Sequence, residues 1–483
     1  MTVNPMSLSA LDKGFKYHYS NEVKELIRKE SALLDMLEED RSFRKPLGGR
    51  SLIWPAVLDR SMNFGVRDES GFLPGLDTTT AGTNDDIDRV STDEFSLPRS
   101  YAYADVAFTE QQMADAHKDF EFFKGWGFAR HVKEMQDNMK MQLELMLLGD
   151  RTGLLGVIQS ASFSTDTTIT LQPASTIGVR GVYGNARLYK NMKISFIRAT
   201  HMSNLRTAQI NSNVGSGGVG VSVFKVGAVS NIHDVGATPT ITILGVDLTS
   251  GAGNALGSGD GIVMGNSRAT ASGGGNAASE ALATLKCFDG LFSFIDDTTL
   301  TSTLYGLSKT TYPQLQSQTD LSSTGRQLTW QRLQVMFDKL YRRRGSDDSD
   351  IEDEYMLLTE RGVRSNYAGA EGEAGKRYVQ EDKAKKLVGG FKDVTMAFLG
   401  NDTLLPWVCT NWMWYGHALL MRKKDLKVMW DIPPSVMSAD GLQLRQVAGK
   451  PVYYMALQAV GNFKKDEPWL DGRLSGLTSA FTG

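Results

Sequence analysis

The chain has 483 residues, 41% of them hydrophobic and 22% charged, and its formal net charge is −3. That length suits about two to four domains of roughly 100–200 residues, and the composition suits a sizeable buried core. The near-neutral balance excludes a nucleic-acid-binding surface built on excess Lys and Arg, though not contact with nucleic acid at a border.

Two cysteines, Cys287 and Cys409, stand far apart. They form neither a metal-ligand spacing nor a disulfide framework, which favours a reducing compartment. The first twenty residues lack the apolar core of a signal peptide, and no run of about 20 apolar residues could span a bilayer. A soluble cytoplasmic protein is expected.

In chain order, "SNEVKELIRKESALLDMLEED" from Ser20 predicts a helix capped by Ser20 or Asn21, with Val23, Ile27, Leu34 and Leu37 near one face. Its interleaved charges suggest a surface helix docking by a narrow stripe. Ser51 to Leu58 reads as a strand, and "FSLPRSYAYADVAF" as another, with Phe95, Leu97, Tyr101 and Tyr103 in period two. A long polar, Gly- and Asp-rich stretch joins them. Such a two-stranded excursion is marginal alone in water, so it must lie on its own body or on a neighbour.

Helical character then runs from about Thr109 to Leu148, with Phe128, Val132, Met135, Met139, Leu143 and Met146 recurring every three or four residues. Forty residues would span roughly 60 Å. Gly125 and Gly127 predict a bend, and Gly149 a left-handed cap. The Met stripe reads as core packing. From 157 to 285 the composition turns to Thr, Ser, Gly and Val. Candidate strands "DTTITLQ", "KISFIRA", "GVGVSVFKVG" and "TPTITIL" predict a small β-barrel or sandwich inserted into the chain.

After it, "LTWQRLQVMFDKLYRRRG" from Leu328 is an amphipathic helix ending at Gly345, and "YMLLTE" is a buried strand. "PWVCTNWMWYGHALLM" from Pro406 is too short and too interrupted to cross a membrane and reads as aromatic-rich buried strands. The tail from Pro433 is strand-rich.

No catalytic, cofactor or metal motif survives inspection. Gly215, Gly217 and Gly220 fit G-x-G-x-x-G but open a Val-rich strand, so no helix dipole faces a pyrophosphate. "AEGEAGKR" from Ala370 lacks the first Gly and the Ser or Thr of a phosphate loop and reads as a flexible polar loop. His117 and His131 would sit about 21 Å apart on one helix, too far for a shared metal. "SDDSDIEDEY" lacks the Gly and the spaced Glu of a calcium loop. Arg342, Arg343 and Arg344 sit at a helix C-terminus, where cations suit the dipole; pairing with an acidic loop of another subunit is a second role. A chain this large with no convergent polar site points to a structural protein.

The order of arm, two-stranded excursion, long helix "HKDFEFFKGWGFARHVKEMQDNMKMQLELMLLGDRTGLLG" and mixed body, with "FDGLFSFIDD", "LTWQRLQVMFDKLYRRRG" and "YMLLTERGVRSNY", resembles the major capsid proteins of tailed bacteriophages with the Hong Kong 97-like fold. The resemblance covers most of the chain outside 157–285. It implies an α+β subunit in which 1–45 is an N-terminal arm, 46–107 an E-loop and 108–156 the spine helix of a peripheral domain. It further implies an inserted β domain at 157–285, the peripheral domain continued over 286–327, an axial domain over 328–432, and a return to the peripheral domain over 433–483.

The implied function is self-assembly as hexamers and pentamers into an icosahedral shell enclosing double-stranded phage DNA as non-specific content. Such a shell is assembled in the host bacterial cytoplasm and involves no cofactor, metal or membrane. The implied partners are further copies of the chain, a separate scaffolding protein, a portal, and a cement or decoration protein. Candidate assembly-interface residues are Trp54, Arg60, Arg67, Phe72, Arg89, Arg99, Arg342, Arg343, Arg344, Asp347 and Asp348. No lysine lies between Lys45 and Lys118, so an E-loop lysine cannot form the covalent cross-link of the fold's founding member. Non-covalent bracing, by the inserted domain or a cement protein, is expected instead. An encapsulin-like cargo shell and a soluble enzyme with an unrecognised site are the alternatives.

Overall fold

The computed structural model describes residues 32–43, 51–57, 92–109, 129–160, 168–173, 187–190, 192–197, 224–230, 239–244, 258–264, 268–269, 284–285, 287–344, 355–373, 396–398, 401–410, 412–438, 445–446 and 451–479. The architecture is mixed α/β. At the N-terminal end, α1 (Ala32–Asp35) and β1 (Glu38–Glu39) bury Leu33, Leu34 and Leu37 in the main core. The strands β2 (Ser51–Val57) and β3 (Thr92–Pro98) pair antiparallel from Ser51↔Pro98 to Val57↔Thr92. The ribbon expected from the sequence is therefore present, and the segment 58–91 that joins its strands lies outside the described residues.

The long second strand of the sequence reading is in fact two. Arg99 separates β3 from β4 (Ser100–Thr109) and changes the phase of alternation. Phe95 and Leu97 are buried before the break; after it Ala102 and Phe108 are buried, while Tyr101 and Tyr103 are 51% and 57% exposed. A one-residue slip sends every following side chain to the other face. The expectation that the tyrosines share a face with Phe95 is thus corrected. Thr109 also ends a strand, where the sequence suggested helix.

Helix α2 (Ala129–Leu147) follows, with Val132, Met135, Met139 and Leu143 buried against Ala102, Phe108 and the central sheet, as the three-to-four spacing predicts. The stretch holding Gly125 and Gly127 lies outside the described residues. Gly149 has no positive φ; that conformation falls at Arg151 (70°) and Gly153 (70°). The helix end is closed differently. Gly149 N–H donates to Met146 O at 3.0 Å, and Phe292 N–H donates to Gly149 O at 3.2 Å. The chain's own Gly149 N–H and one donor from a neighbouring segment thus close the helix end without a left-handed cap.

Six strands then close a barrel: β5 (Leu154–Ser160), β6 (Thr168–Leu171), β7 (Lys193–Ile197), β8 (Phe224–Ser230), β9 (Thr240–Leu244) and β10 (Gly261–Met264), in the order β10-β5-β6-β9-β8-β7. Ile158, Ile169, Leu171, Ile194, Val226, Ile241 and Ile262 fill it, joined by Leu145 from α2. Its first strand begins at Leu154, earlier than the composition change suggests. A short pair, β11 (Arg268–Ala269) and β12 (Thr284–Leu285), follows.

The remaining elements are α3 (Leu291–Phe294), the hairpin β13 (Thr303–Leu304) and β14 (Leu307–Ser308), β15 (Gln318–Asp320), α4 (Trp330–Arg344), β16 (Tyr355–Thr359) and α5 (Arg361–Glu373). Then come β17 (Met396–Phe398), β18 (Asn401–Leu405), β19 (Trp407–Cys409), β20 (Ala418–Arg422), β21 (Leu426–Val436), β22 (Arg445–Gln446), β23 (Val452–Lys465) and β24 (Gly472–Leu474). Ala370 to Glu373, read from sequence as the start of a flexible loop, is the last turn of α5. The β17–β18 hairpin stands apart from two larger sheets.

One sheet runs β1-β21-β23, with β4 and β22 also paired to β23. The other is mixed and runs β15-β24-β20-β16-β19. This second sheet is covered on both faces, which explains the unbroken apolar runs YMLLT and ALLM. Met356, Leu358, Leu419 and Met421 enter the main core, while Tyr355, Leu357, Ala418 and Leu420 face a second core with Leu333, Met336, Phe337 and Leu340 of α4. The 328–432 segment does not coincide with one sheet, because β21 lies in the first sheet and β20 in the second.

Candidate assembly surface

The β2–β3 ribbon is rooted in its own subunit. Leu52, Ala56, Phe95 and Leu97 are buried on one face. On that face Trp54 packs edge-on to Tyr305 (ring centroids 4.9 Å apart) and lies 5.6 Å from Phe95, with the Lys464 ammonium 4.8 Å from its ring centre. Tyr305 and Gly306 form the two-residue turn of the β13–β14 hairpin with φ of 50° and 91°, the positive pair that such tight hairpins require. Ser96 N–H donates to Tyr305 O at 2.8 Å, locking ribbon to hairpin.

Of the candidate interface residues, Trp54 is therefore half-buried in an intrasubunit aromatic group. Arg99 is paired with Asp431 at 3.1 Å within the subunit. Arg343 donates to the carbonyls of Gln314 (2.7 Å) and Pro313 (3.3 Å), and burial lowers its pKa. Arg342 is exposed on α4 and Arg344 ends that helix. Arg60, Arg67, Phe72, Arg89, Asp347 and Asp348 lie outside the described residues. Among the described residues, Arg99 and Arg343 each meet partners of their own elsewhere in the subunit. What the sequence reading missed is the outward sheet face. Tyr101 stands opposite Val460 and Val460 opposite Ile432, so Tyr101, Tyr103 and the 36%-exposed Ile432 share it. The only signal for this is the Pro98-Arg99 interruption between two alternating runs.

The turn after α2 is a structural joint. Thr152 donates its N–H (3.2 Å) and its hydroxyl to Asp150 Oδ1, and Arg151 pairs with buried Asp289 at 3.3 Å. Asn462 ties Asp289 to the sheet by accepting its N–H at 2.7 Å and donating to its carboxylate at 2.9 Å. Asp296 is fully buried and meets Arg473 at 3.0 Å and Lys309 at 3.9 Å. Burial raises the pKa of Asp296 and lowers that of Lys309 to about 8. Asp289, Asp296, Lys309 and Arg473 are thus buried charges that meet partners within the subunit. Buried His417 sits edge-on to Phe292 and Trp414, and His131 pairs with Glu134 on the exposed side of α2. Among the described residues, no three His, Cys, Asp or Glu side chains converge to hold a metal ion, and no helix is long and apolar enough to cross a membrane.

No family model and no curated protein matches the sequence. Solved structures that superpose on the chain include the capsid asymmetric unit of cyanophage A-1(L), with 10% identity, 92% of this chain and 91% of that one covered, and a TM-score of 0.48. The capsid of the Myoviridae phage XM1 gives 8% identity, 92% and 91% coverage, and 0.36. The SrpI encapsulin complex of Synechococcus elongatus gives 10% identity over 33% of this chain and 53% of that one, with 0.22. All three scores are below 0.5, and at these identities none of the likenesses carries weight for function.

Proposed function

We propose that the chain is a shell-forming major capsid protein of a tailed bacteriophage. The observation that carries this reading is the β2–β3 ribbon. Its root is fastened to its own core, and residues 58–91, which join its two strands, form a polar, Gly- and Asp-rich stretch with no long apolar run. A segment of that kind gains its stability by lying on another copy. Many such weak contacts, repeated around closed rings of hexamers and pentamers, make a shell cooperative.

In this reading the first sheet with α2 is the peripheral domain and the second sheet with α4 and α5 the axial domain. The barrel is an added domain that decorates the shell or braces neighbouring subunits. Bracing is non-covalent, because residues 46–117 contain no lysine. Double-stranded DNA is the enclosed content, and scaffolding, portal and cement proteins are separate chains.

The test is negative-stain electron microscopy of purified protein with analytical ultracentrifugation, alone and with a co-expressed scaffolding partner. Closed particles, or rings of five and six subunits, are expected. A compact dimer or tetramer that never closes shells with the partner present overturns the reading. Co-purifying cargo enzyme inside DNA-free shells turns it to an encapsulin-like compartment.

A further inference from the structure

Strand β4 is an edge of the first sheet. Its neighbour β23 carries β21 and β22 along one side, from Leu426↔Lys465 to Arg445↔Tyr454. Along the other side it carries β4, through ten consecutive pairs from Val452↔Thr109 to Gly461↔Ser100 with no shift of register. An antiparallel strand turns its N–H and C=O groups alternately toward its two neighbours. Among the described residues, the backbone of 101–107 bonds only to β23, so the alternate groups point away from the sheet.

Free edges are normally blunted by Lys, by Pro or by a bulge. The stretch SYAYADVA has no Lys, no Pro and no bulge. One row of its side chains, Ala102, Ala104 and Val106, packs on the main core, while Tyr101, Tyr103, Asp105 and Ala107 form an exposed row. Asp105 is the single charge in that row. A second copy of the chain brings an identical free edge, with donors and acceptors in equal number. Two such edges meet antiparallel about a two-fold axis, the self-complementary contact of closed assemblies.

We infer that β4 pairs with β4 of a second copy, joining the two first sheets into one across the contact. Only residues of the same row stand opposite each other, which restricts the register. An axis at Asp105 opposes two carboxylates and is disfavoured. An axis at Ala104 gives no aromatic pair, and one at Ala102 shortens the overlap to residues 100–104. An axis at Tyr103 sets the two Tyr103 rings against each other and Tyr101 against the partner's Asp105. Residues 100–106 of each strand then pair. That is far fewer than the roughly 20–30 residues a side of a standard interface, so the contact is weak between free subunits. Within a shell, the high local concentration of copies reinforces it. This pairing rests on the shell reading for the place where the copies meet.

The experiment is mild oxidation of assembled particles carrying Tyr103→Cys, read on a non-reducing gel. A covalent dimer is expected to replace most of the monomer band, because the two thiols face each other across the axis. Particles of Tyr101→Cys alone or of Asp105→Cys alone are expected to stay monomeric, and particles co-assembled from both chains to link. Wild type controls for Cys287 and Cys409, and Ser438→Cys, exposed but off this edge, for random contact. Closed particles without the Tyr103→Cys link overturn the pairing and leave the shell reading standing, as does a link of equal extent at Ser438→Cys. A link in either single variant at 101 or 105 overturns the register. Failure to form particles even with the scaffolding partner overturns the shell reading. The same oxidation of the concentrated subunit then decides the pairing, which a wholly monomeric product overturns and the Tyr103→Cys dimer upholds.

Discussion

The Tyr305 hydroxyl exchanges two hydrogen bonds of 2.7 Å with the backbone of Lys465, donating to its carbonyl and accepting from its N–H. One side chain thereby fastens the hairpin, the ribbon root and the end of β23. Tyr305→Phe keeps the ring contacts with Trp54 and Phe95 but leaves that buried N–H and carbonyl without this partner. A loss of about 1–3 kcal/mol is expected, read as a lower urea midpoint with an unchanged slope. A shift of only a few tenths would mean that water replaces the hydroxyl.

Two glycines should respond oppositely to Ala. A Cβ at Gly290 would lie 2.4 Å from both Gly149 O and Met146 O, backbone atoms at the end of α2, whereas one at Gly369 in α5 meets nothing within 4 Å. Gly290→Ala should cost about 1–3 kcal/mol or more through forced backbone movement. Gly369→Ala should stabilise by roughly 0.5–1 kcal/mol through helix propensity. Thermal melts of both variants check the pair, and similar shifts would sink the packing argument.

Glu360 supplies a pH dependence with a definite sign. It is 3% exposed, and burial raises its carboxyl from 4.5 to about 7 against bonds from Ser479 and Gly416. Between those values the folded chain holds a proton that the unfolded chain has released, so stability falls as pH rises through the window, by roughly 3 kcal/mol in total. Asp471 acts in the same direction at somewhat lower pH. Asp40, held at about 2 by Lys464 and Ser42 in spite of burial, acts in the opposite direction, its contribution being lost as pH falls below about 4. The wild-type minus Glu360→Gln difference in unfolding free energy isolates the one group. A difference that stays flat from pH 4.5 to 7 would refute the assignment.

Deleting residues 71–88 should leave the subunit folded, because the ribbon root that carries its core contacts is retained. It should abolish closed shells. Circular dichroism and electron microscopy of the deletion protein test the two halves separately, and normal particles would count against the excursion as an assembly element.

The sequence by itself determined the elements whose burial follows from local periodicity. The stripe from Val132 to Leu143, the helix ending at Arg344, the buried strand YMLLT and the two sides of the ribbon were legible because each needs only its own spacing to declare a buried face. Four of the six barrel strands were legible for the same reason. Tertiary structure alone decided the rest. Arg99 reverses the faces of Tyr101 and Tyr103 because β4 pairs with β23, hundreds of residues away. Gly149 needs no left-handed cap because Phe292 brings a donor to the helix end. The charges at Arg422, Asp425, Lys465 and Asp471 look like ordinary surface residues in the sequence. Only the packing of the connection after β20 against the connection after β23 removes most of their water and makes them partners, since desolvation is a property of the fold and leaves no periodic trace along the chain.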